Sequence, residues 1–105
     1  LDSCGHWQRV MQGHAGANLV PVVAANRVGE EIGESCRLSF YGSSFICGPT
    51  GEMLTSAGRT EQSVLLAEFD LAAQQRARTL WGVFRDRRPD LYRPLLTLDG
   101  STPRG

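Results

Sequence analysis

Residues 20–25, Val-Pro-Val-Val-Ala-Ala, form a continuous apolar run that constrains the fold of this chain more than any other feature. Its length and its β-branched residues are typical of a strand that is buried on both faces of a sheet. Pro21 belongs near the start of such a strand, because proline donates no hydrogen bond within a sheet. The run therefore predicts a layered fold in which other elements cover this strand.

The residues before the apolar run predict an α-helix over residues 4–18. The side chains on one face of this helix recur at intervals of three and four residues: Trp7, Val10, Met11 and His14. Asp2 or Ser3 is suited to cap its first turn. Its second half is rich in glycine and alanine, which costs helix stability but lets a second backbone come close. We therefore expect this half to pack tightly against a neighbour.

After the apolar run, the sequence predicts four more strands. Residues 29–33 contain glycines and acidic residues, and we predict that they form a solvated loop. The predicted strands are residues 38–41, 43–47, 53–57 and 63–69. Residues 48–51, Gly-Pro-Thr-Gly, are typical of a tight turn, so the strands on either side should form an antiparallel hairpin. In residues 63–69 the side chains alternate between two faces, as expected for a sheet strand.

The last third of the sequence predicts a second helix and an extended arm. Residues 71–80 are rich in good helix formers, with Leu71, Ala72 and Leu80 on the expected buried side. Residues 81–105 contain apolar side chains without a sustained period. We predict that these residues form an arm that lies on another surface.

The predicted fold class is α+β: a helix, about five mainly antiparallel strands, a second helix and the extended C-terminal arm. No linker rich in proline, glycine or serine divides the chain, so residues 1–105 should form a single domain. Two helices would cover one face of the sheet and leave the other face and a strand edge open to pairing. The domain is therefore expected to be partial, with further sequence completing it.

All eleven basic residues are arginines, and the sequence contains no lysine. A reaction that needs a lysine side chain must therefore obtain it from elsewhere in a longer polypeptide. Residues 1–70 carry four arginines and eight acids, whereas residues 71–105 carry seven arginines and three acids. The second helix and the arm are thus the basic part of the chain.

The apolar pattern predicts neither a membrane span nor a secretory leader. The longest apolar run, residues 19–25, is much shorter than the roughly 20 residues that cross a bilayer. No basic region followed by an apolar stretch opens the sequence. We therefore expect a soluble, cytoplasmic protein.

The cysteines and histidines predict no metal site. Cys4, Cys36 and Cys47 match neither a disulfide framework nor a zinc-binding spacing, so we predict reduced thiols. His6 and His14 are eight residues apart, which is too far to place two ligands one turn apart on a helix.

Four segments with compatible spacing carry a family resemblance. They are residues 6–15 (His-Trp-Gln-Arg-Val-Met-Gln-Gly-His-Ala), 20–27 (Val-Pro-Val-Val-Ala-Ala-Asn-Arg), 40–52 (with Phe-Tyr-Gly-Ser-Ser-Phe-Ile and Gly-Pro-Thr-Gly-Glu) and 81–92 (Trp-Gly-Val-Phe-Arg-Asp-Arg-Arg-Pro-Asp-Leu-Tyr). In this order they resemble the amidases of the nitrilase superfamily, and residues 95–100 extend the resemblance over nearly the whole chain. Residues 40–52 and 81–92, together with residues 95–100, are most similar to the branch that hydrolyses N-carbamoylputrescine.

The resemblance implies that this chain is the C-terminal portion of a nitrilase-type α-β-β-α sandwich that is considerably longer. In the family a cysteine thiolate attacks the carbon–nitrogen bond, a glutamate transfers protons and a lysine stabilises the oxyanion. All three lie upstream, so no catalytic residue is expected in this chain. Cys4, Cys36 and Cys47 stand outside the nucleophile motif. No metal or organic cofactor is implied.

The resemblance also implies roles in the pocket and at subunit interfaces. Asn26 and Arg27 end a strand that runs close to the pocket in the family, and Ser43 and Ser44 belong to the matching Tyr-Gly-Ser-Ser segment. A structural strand end with a salt bridge is an equally good interpretation of Asn26 and Arg27. The candidate residues for a homo-oligomer interface, in the first helix and the arm, are Trp7, Met11, His14, Phe84 and Tyr92. Core packing within one subunit is the alternative for the first helix.

Residues 30–37 form a shorter loop than expected for plant members of this branch, and Cys36-Arg37 departs from the usual residues there. A different carbamoyl or ω-amide substrate therefore stays open. A self-contained thiol hydrolase using Cys4 or Cys36 with a histidine is another possibility, but Cys4 and His6 would face different sides of the predicted helix.

Two further alternatives involve no catalysis by the chain. The arginine-rich tail could bind nucleic acid, although Asp86, Asp90 and Asp99 interrupt its positive charge. Solvated ion pairs, or docking of the tail onto an acidic partner subunit, explain the same pattern with fewer assumptions. The chain could also be an interaction fragment that associates with a catalytic partner chain. The upstream coding region distinguishes these interpretations, because the family implies a Glu, a Lys and a Cys there in that order.

Overall fold

A computed structural model describes residues 2–101 and confirms the α+β class. The helices and strands, in chain order, are α1 (Cys4–Asn18), β1 (Val22–Ala24), β2 (Val28–Ile32), β3 (Arg37–Tyr41), β4 (Phe45–Cys47), β5 (Met53–Ser56) and α2 (Leu71–Trp81). Two short 3-10 turns follow, at Pro89–Leu91 and Arg93–Leu96. The described strand pairs are all antiparallel.

Helix α1 has the predicted bounds. The backbone N–H of Cys4 donates to Asp2 Oδ1 over 3.0 Å, so Asp2 rather than Ser3 supplies the side-chain oxygen at the first turn. Leu19 ends the helix in the left-handed conformation, with φ of 51°. The chain then turns directly into β1, which packs under the helix.

The small residues of α1 allow the close approach that was predicted. Ala15 is fully buried, and a Cβ on Gly16 would touch the carbonyl oxygen of Thr50 at 3.4 Å. Gln12 donates through Nε2 to the carbonyl of Gly51 at 3.0 Å. The helix is thereby fixed to the turn between β4 and β5.

Strands β1, β4 and β5 form one sheet, with β4 in the centre. Val23 of β1 pairs with Ile46 of β4, and the β4–β5 pairing has a register shift between Ile46 and Cys47. The core lies between this sheet and α1, and its buried residues are Ala15, Ala24, Phe45 and Cys47. Trp7 packs edge-on against Phe45 with 4.9 Å between the ring centroids. The central strand thus carries most of the buried side-chain volume.

The tight turn between β4 and β5 is stabilised by Glu52. Its carboxylate accepts hydrogen bonds from the backbone N–H and the hydroxyl of Thr50. The bond from the Thr50 hydroxyl is the main reason that the pKa of Glu52 is lowered. The backbone N–H of Gly48 donates to the Glu52 carbonyl at 2.8 Å, which closes the hairpin as predicted.

Strands β2 and β3 form a separate two-stranded ribbon. The prediction of a solvated loop over residues 29–33 is therefore wrong, since Val28–Ile32 pairs along its length with Arg37–Tyr41. Every residue of β2 after Val28 is exposed. The sequence lacks the apolar alternation of a strand because this ribbon covers no core among the described residues.

Two other strand predictions need correction. Val23 is 68% exposed, so β1 is covered on one face only by the described residues. Residues 63–69 form no strand, and Val64 and Leu66 are each more than 80% exposed. Their alternating pattern is present, but no neighbouring strand among residues 2–101 pairs with them.

Helix α2 has nearly the predicted bounds, but its predicted buried side is wrong. Leu71 and Leu80 are 71% and 84% exposed, and Ala72 is exposed as well. The half-buried residues are instead Ala73, Gln74, Ala77 and Arg78. Asp70 caps the helix by accepting from the N–H of Ala73 at 3.0 Å. Ala73 and Ala77 face the other described residues, and Leu71 and Leu80 are left uncovered.

The arm is less extended than predicted, because residues 82–96 contain turns and 3-10 geometry. Gly82 ends α2 with φ of 69°. The hydroxyl of Tyr92 accepts from the backbone N–H of Arg88 at 2.9 Å. Leu95, Leu96 and Leu98 are almost fully exposed, and residues 102–105 of the predicted arm lie outside the described residues. Neither helix of residues 2–101 is long and apolar enough to cross a bilayer.

Candidate cleft at the strand ends

A polar cleft of about 420 Å³ opens where β1 ends and β4 begins. It brings together three of the four predicted pocket residues, Asn26, Arg27 and Ser44. Its remaining lining comes mainly from the chain after β5: Val28, Ala57, Gly58, Glu61, Gln62 and Ser63. We describe this feature as the candidate cleft.

Asn26 and Ser44 hold the two strand ends together by reciprocal hydrogen bonds. The backbone N–H of Asn26 donates to Ser44 Oγ at 2.8 Å, and Ser44 Oγ lies 3.2 Å from the Asn26 carbonyl oxygen, to which it donates. The side-chain amide of Asn26 donates to the carbonyl of Gly42 at 2.9 Å. The floor of the candidate cleft is thus built from backbone groups that a side-chain clamp holds in place.

Gly42 is the residue that makes this geometry possible. Its φ is 55°, and a Cβ there would lie 2.6 Å from a methyl group of Val28 and 3.0 Å from the carbonyl oxygen of Gly58. Its N–H donates to the Arg27 carbonyl at 3.1 Å. Only glycine fits this conformation without displacing the neighbouring segments.

The guanidinium of Arg27 is engaged by the β2–β3 ribbon. It pairs with Glu31 and lies 4.1 Å from the centroid of the Phe40 ring. The Arg27 and Glu31 side chains are both more than half exposed, so this ion pair contributes little to stability. The ion pair instead orients the Arg27 side chain. Arg27 therefore both forms the salt bridge expected of a strand end and lines the candidate cleft.

Ser43 lies outside the cleft lining, although the sequence analysis grouped it with Ser44. Ser43 is buried, with φ of 58°, and its hydroxyl donates to the Tyr41 carbonyl at 2.9 Å. Its own carbonyl accepts from Gln8 Nε2 at 3.2 Å. Ser43 therefore connects α1 to the start of β4.

The interface candidates fall into two groups. Trp7 and Met11 pack against the core of this chain, which favours core packing for these two residues. His14 is exposed on α1, while Phe84 and Tyr92 are 51% and 43% exposed in the arm. A role for any of them at a subunit interface stays a prediction.

The structure does not assemble a thiol–histidine pair at the start of α1. Cys4 is buried and His6 is exposed, which places them on different sides of the helix. Cys47 is fully buried, and Cys36 is exposed in the connection between β2 and β3. Within residues 2–101, no group of three His, Cys, Asp or Glu side chains is arranged to hold a metal ion.

Sequence reasoning missed the contribution of residues 57–63 to the candidate cleft. A usable signal existed, because the predicted hairpin places the end of β5 beside the start of β4. The N–H of Ala57 indeed donates to the Ser44 carbonyl at 2.7 Å. The residues that follow β5 are thereby brought next to Asn26.

Replacing Ser44 with alanine tests the clamp in the longer polypeptide that contains this chain. The loss of a hydroxyl that both donates and accepts should lower the free energy of unfolding by about 1–3 kcal/mol. Urea unfolding measures this effect.

Ser39→Ala is the matched control, because Ser39 is an exposed serine on β3 without a side-chain hydrogen bond in residues 2–101. Equal stability of Ser44→Ala and Ser39→Ala would contradict the role of the clamp.

Comparison with solved structures defines the fold. A carbon–nitrogen hydrolase from Helicobacter pylori G27 superposes with a TM-score of 0.81 at 39% sequence identity. The superposition covers 91% of this chain and 34% of that chain. The structure is therefore an α+β portion of the nitrilase type, as predicted.

Sequence comparison then gives the family. Residues 4–79 match the family described as carbon–nitrogen hydrolase, and the chain belongs to this family. An N-carbamoylputrescine amidase of Solanum tuberosum is 61% identical over an alignment of 107 residues. The alignment covers 98% of this chain and 36% of the relative. A citrullinase of Francisella tularensis is 52% identical over 91 residues, which cover 87% and 32%. The chain spans about a third of the length of these relatives.

Proposed function

We propose that this chain is the C-terminal portion of an amidase that hydrolyses N-carbamoylputrescine to putrescine, carbon dioxide and ammonia. The observation that carries the proposal is identity of 58–61% to four plant N-carbamoylputrescine amidases over nearly the whole chain. The similarity includes the segments that form the candidate cleft and the arm. Residues 1–105 would then form one partial domain, with residues 81–105 as its arm.

The names of two relatives indicate which chemical group of the substrate would be hydrolysed. Citrulline and N-carbamoylputrescine, after which the two relatives are named, each carry a terminal ureido group on an aliphatic chain. In the overall reaction one water molecule is consumed, both carbon–nitrogen bonds of the ureido group are cleaved, and the products are an amine, carbon dioxide and ammonia. This reaction is balanced without a redox partner or a cofactor.

In this proposal the residues of the chain support the site rather than perform the reaction. A cysteine nucleophile, a glutamate and a lysine come from the rest of the polypeptide. The Asn26–Ser44 clamp fixes two strand ends, and the candidate cleft beside it adjoins the pocket in the complete enzyme. The packing of α1 on the central strand holds this arrangement rigid.

The proposal extends to assembly and location. The protein would be a cytoplasmic homo-oligomer of polyamine biosynthesis that contacts other copies through α1 and the arm, without nucleic acid, membrane, metal or cofactor as partner. The exposed leucines of the arm, Leu95, Leu96 and Leu98, support a covered arm in the assembled protein. A non-catalytic fragment that associates with a catalytic chain is the alternative.

Substrate comparison with the polypeptide extended upstream to its natural start codon tests the proposal. Ammonia release should give a kcat/KM for N-carbamoylputrescine at least about tenfold above those for citrulline and for an ω-amide, which corresponds to roughly 1.4 kcal/mol of transition-state binding. A preference for citrulline or the ω-amide would retain the family and overturn the substrate. No hydrolysis of any of the three would leave only the interaction alternative.

A further inference from the structure

An aromatic ring and two arginines form a cluster at the junction of α2 and the arm. The guanidinium carbons of Arg78 and Arg87 each lie 5.2 Å from the centroid of the Phe84 ring. Phe84 has φ of 68°, a conformation that non-glycine residues rarely adopt, and its carbonyl accepts from Arg87 Nε at 2.9 Å. We refer to Arg78, Phe84 and Arg87 as the Phe84 cluster. The unusual backbone and this hydrogen bond hold the two cations near one ring.

The acidic residues close to the cluster in sequence are already paired with other arginines. Asp86 pairs with Arg85 at 2.8 Å, and Asp90 pairs with Arg88 at 3.1 Å. Among residues 2–101, no carboxylate forms an ion pair with Arg78 or Arg87. Among the described residues, the two positive charges of the cluster therefore have no carboxylate paired with them.

Arg78 also has an unsatisfied buried donor. Its Nε is buried and has no hydrogen-bond partner among the described residues, and the same is true of Gln74 Oε1 one helical turn earlier. The two atoms do not bond to each other. Leaving a buried donor unpaired is unfavourable, and more so when the group is charged. An acceptor that the described residues lack would remove this cost.

A cleft of about 310 Å³ gives access to this site. Arg78, Phe84 and Gly82 line it together with neighbouring residues of α2 and the arm. The Phe84 ring is about half exposed at 51%. The volume is sufficient for a carboxylate side chain, whose two oxygens match the planar donor geometry of a guanidinium.

We infer that the Phe84 cluster binds a carboxylate side chain of a second copy of the protein. A second copy carries the complementary charge, because residues 1–70 have a surplus of four acids and residues 71–105 a surplus of four arginines. Two copies can therefore pair the arm of one with the acidic body of the other. The inference rests on the homo-oligomer of the proposed function and assigns an ionic contact within it.

The test uses the full-length polypeptide with Arg78→Gln and Arg87→Gln together. Arg76→Gln with Arg93→Gln is the control, because it removes the same charge from α2 and the arm, at arginines without an ion pair in residues 2–101. Sedimentation velocity over a range of protein and salt concentrations measures the dissociation constant. The cluster variant should raise it by at least about tenfold, and the control should not. Salt should weaken association of the wild type more than that of the cluster variant.

Three outcomes would overturn the inference. One is a monomeric wild type, and another is equal association of the cluster variant and the control. The third is a lowered melting temperature of the cluster variant with unchanged association, which would place the carboxylate in the same subunit. If the cluster variant does not fold, Arg78→Lys with Arg87→Lys keeps the charges and removes the planar donors, and it should still weaken association measurably. Hydrolysis of N-carbamoylputrescine by the wild type separately decides the proposed function.

Discussion

Residues 1–105 alone are expected to release no ammonia from N-carbamoylputrescine, whereas the polypeptide extended to its natural start codon should do so. The sequence has no lysine, and none of its three cysteines lies in the nucleophile motif implied by the family resemblance. Two of those thiols, Cys4 and Cys47, are buried. Loss of a covalent nucleophile lowers the rate on the order of a millionfold, which is below detection in an ammonia assay.

A mixing experiment distinguishes a short chain that is folded but lacks the catalytic residues from one that is misfolded. The short chain, added to a polypeptide that carries the upstream residues alone, should restore part of the activity if the two pieces associate. Ammonia release by the short chain alone would show that our account of the catalytic residues is wrong. Alkylation of a cysteine at pH 6 would then identify the thiol responsible.

Phe45→Ala is expected to cause the largest loss of stability among single substitutions in this chain. Phe45 is fully buried in the central strand and packs against Trp7, Ala15 and Ala24 in the core. Truncation removes the buried ring and leaves a cavity under α1, which should lower the free energy of unfolding by about 3–5 kcal/mol. Urea unfolding of the full-length polypeptide at a fixed protein concentration measures this loss.

Phe45→Leu is the graded control, since it keeps most of the apolar volume and should cost clearly less than the alanine variant. Arg9→Ala, on the exposed side of α1, should have an effect within about 0.5 kcal/mol of zero. An effect of Phe45→Ala as small as that of Arg9→Ala would mean that the core between α1 and the sheet does not contribute to stability as described.

Local signals in the sequence were sufficient to predict the elements that are stabilised by residues within them or next to them in sequence. The bounds of α1 follow from its periodicity and from the Asp2 carboxylate that accepts from the N–H of Cys4, and α2 begins after its cap, Asp70. The β4–β5 hairpin follows from the turn residues 48–51. In each case residues close in sequence interact with one another.

Predictions that depended on missing neighbours were wrong. The alternation in residues 63–69 suits a strand, but pairing needs a partner that residues 2–101 do not provide. The leucines of α2 point away from the described residues for the same reason. The error at the β2–β3 ribbon is the opposite one, because a strand was missed there. Backbone pairing holds β2 to β3 although the sequence of β2 has no apolar alternation.

The candidate cleft was predictable in part. Asn26, Arg27 and Ser44 were identified through the family resemblance, and the structure brings all three together. Ser43 was grouped with Ser44, yet the two residues differ because the left-handed conformation at Ser43 turns the chain between them. Backbone conformation of this kind is not visible in a sequence pattern.

The exposure of the three thiols has a practical consequence for measuring distances in the assembled enzyme. Cys36 lies in the connection between β2 and β3 and is exposed, whereas Cys4 and Cys47 are buried. Within this chain a maleimide dye should therefore attach at Cys36, which lines neither the candidate cleft nor the cleft at the Phe84 cluster. Once the cysteines elsewhere in the polypeptide are replaced, a dye pair at Cys36 of two copies would report their separation by energy transfer.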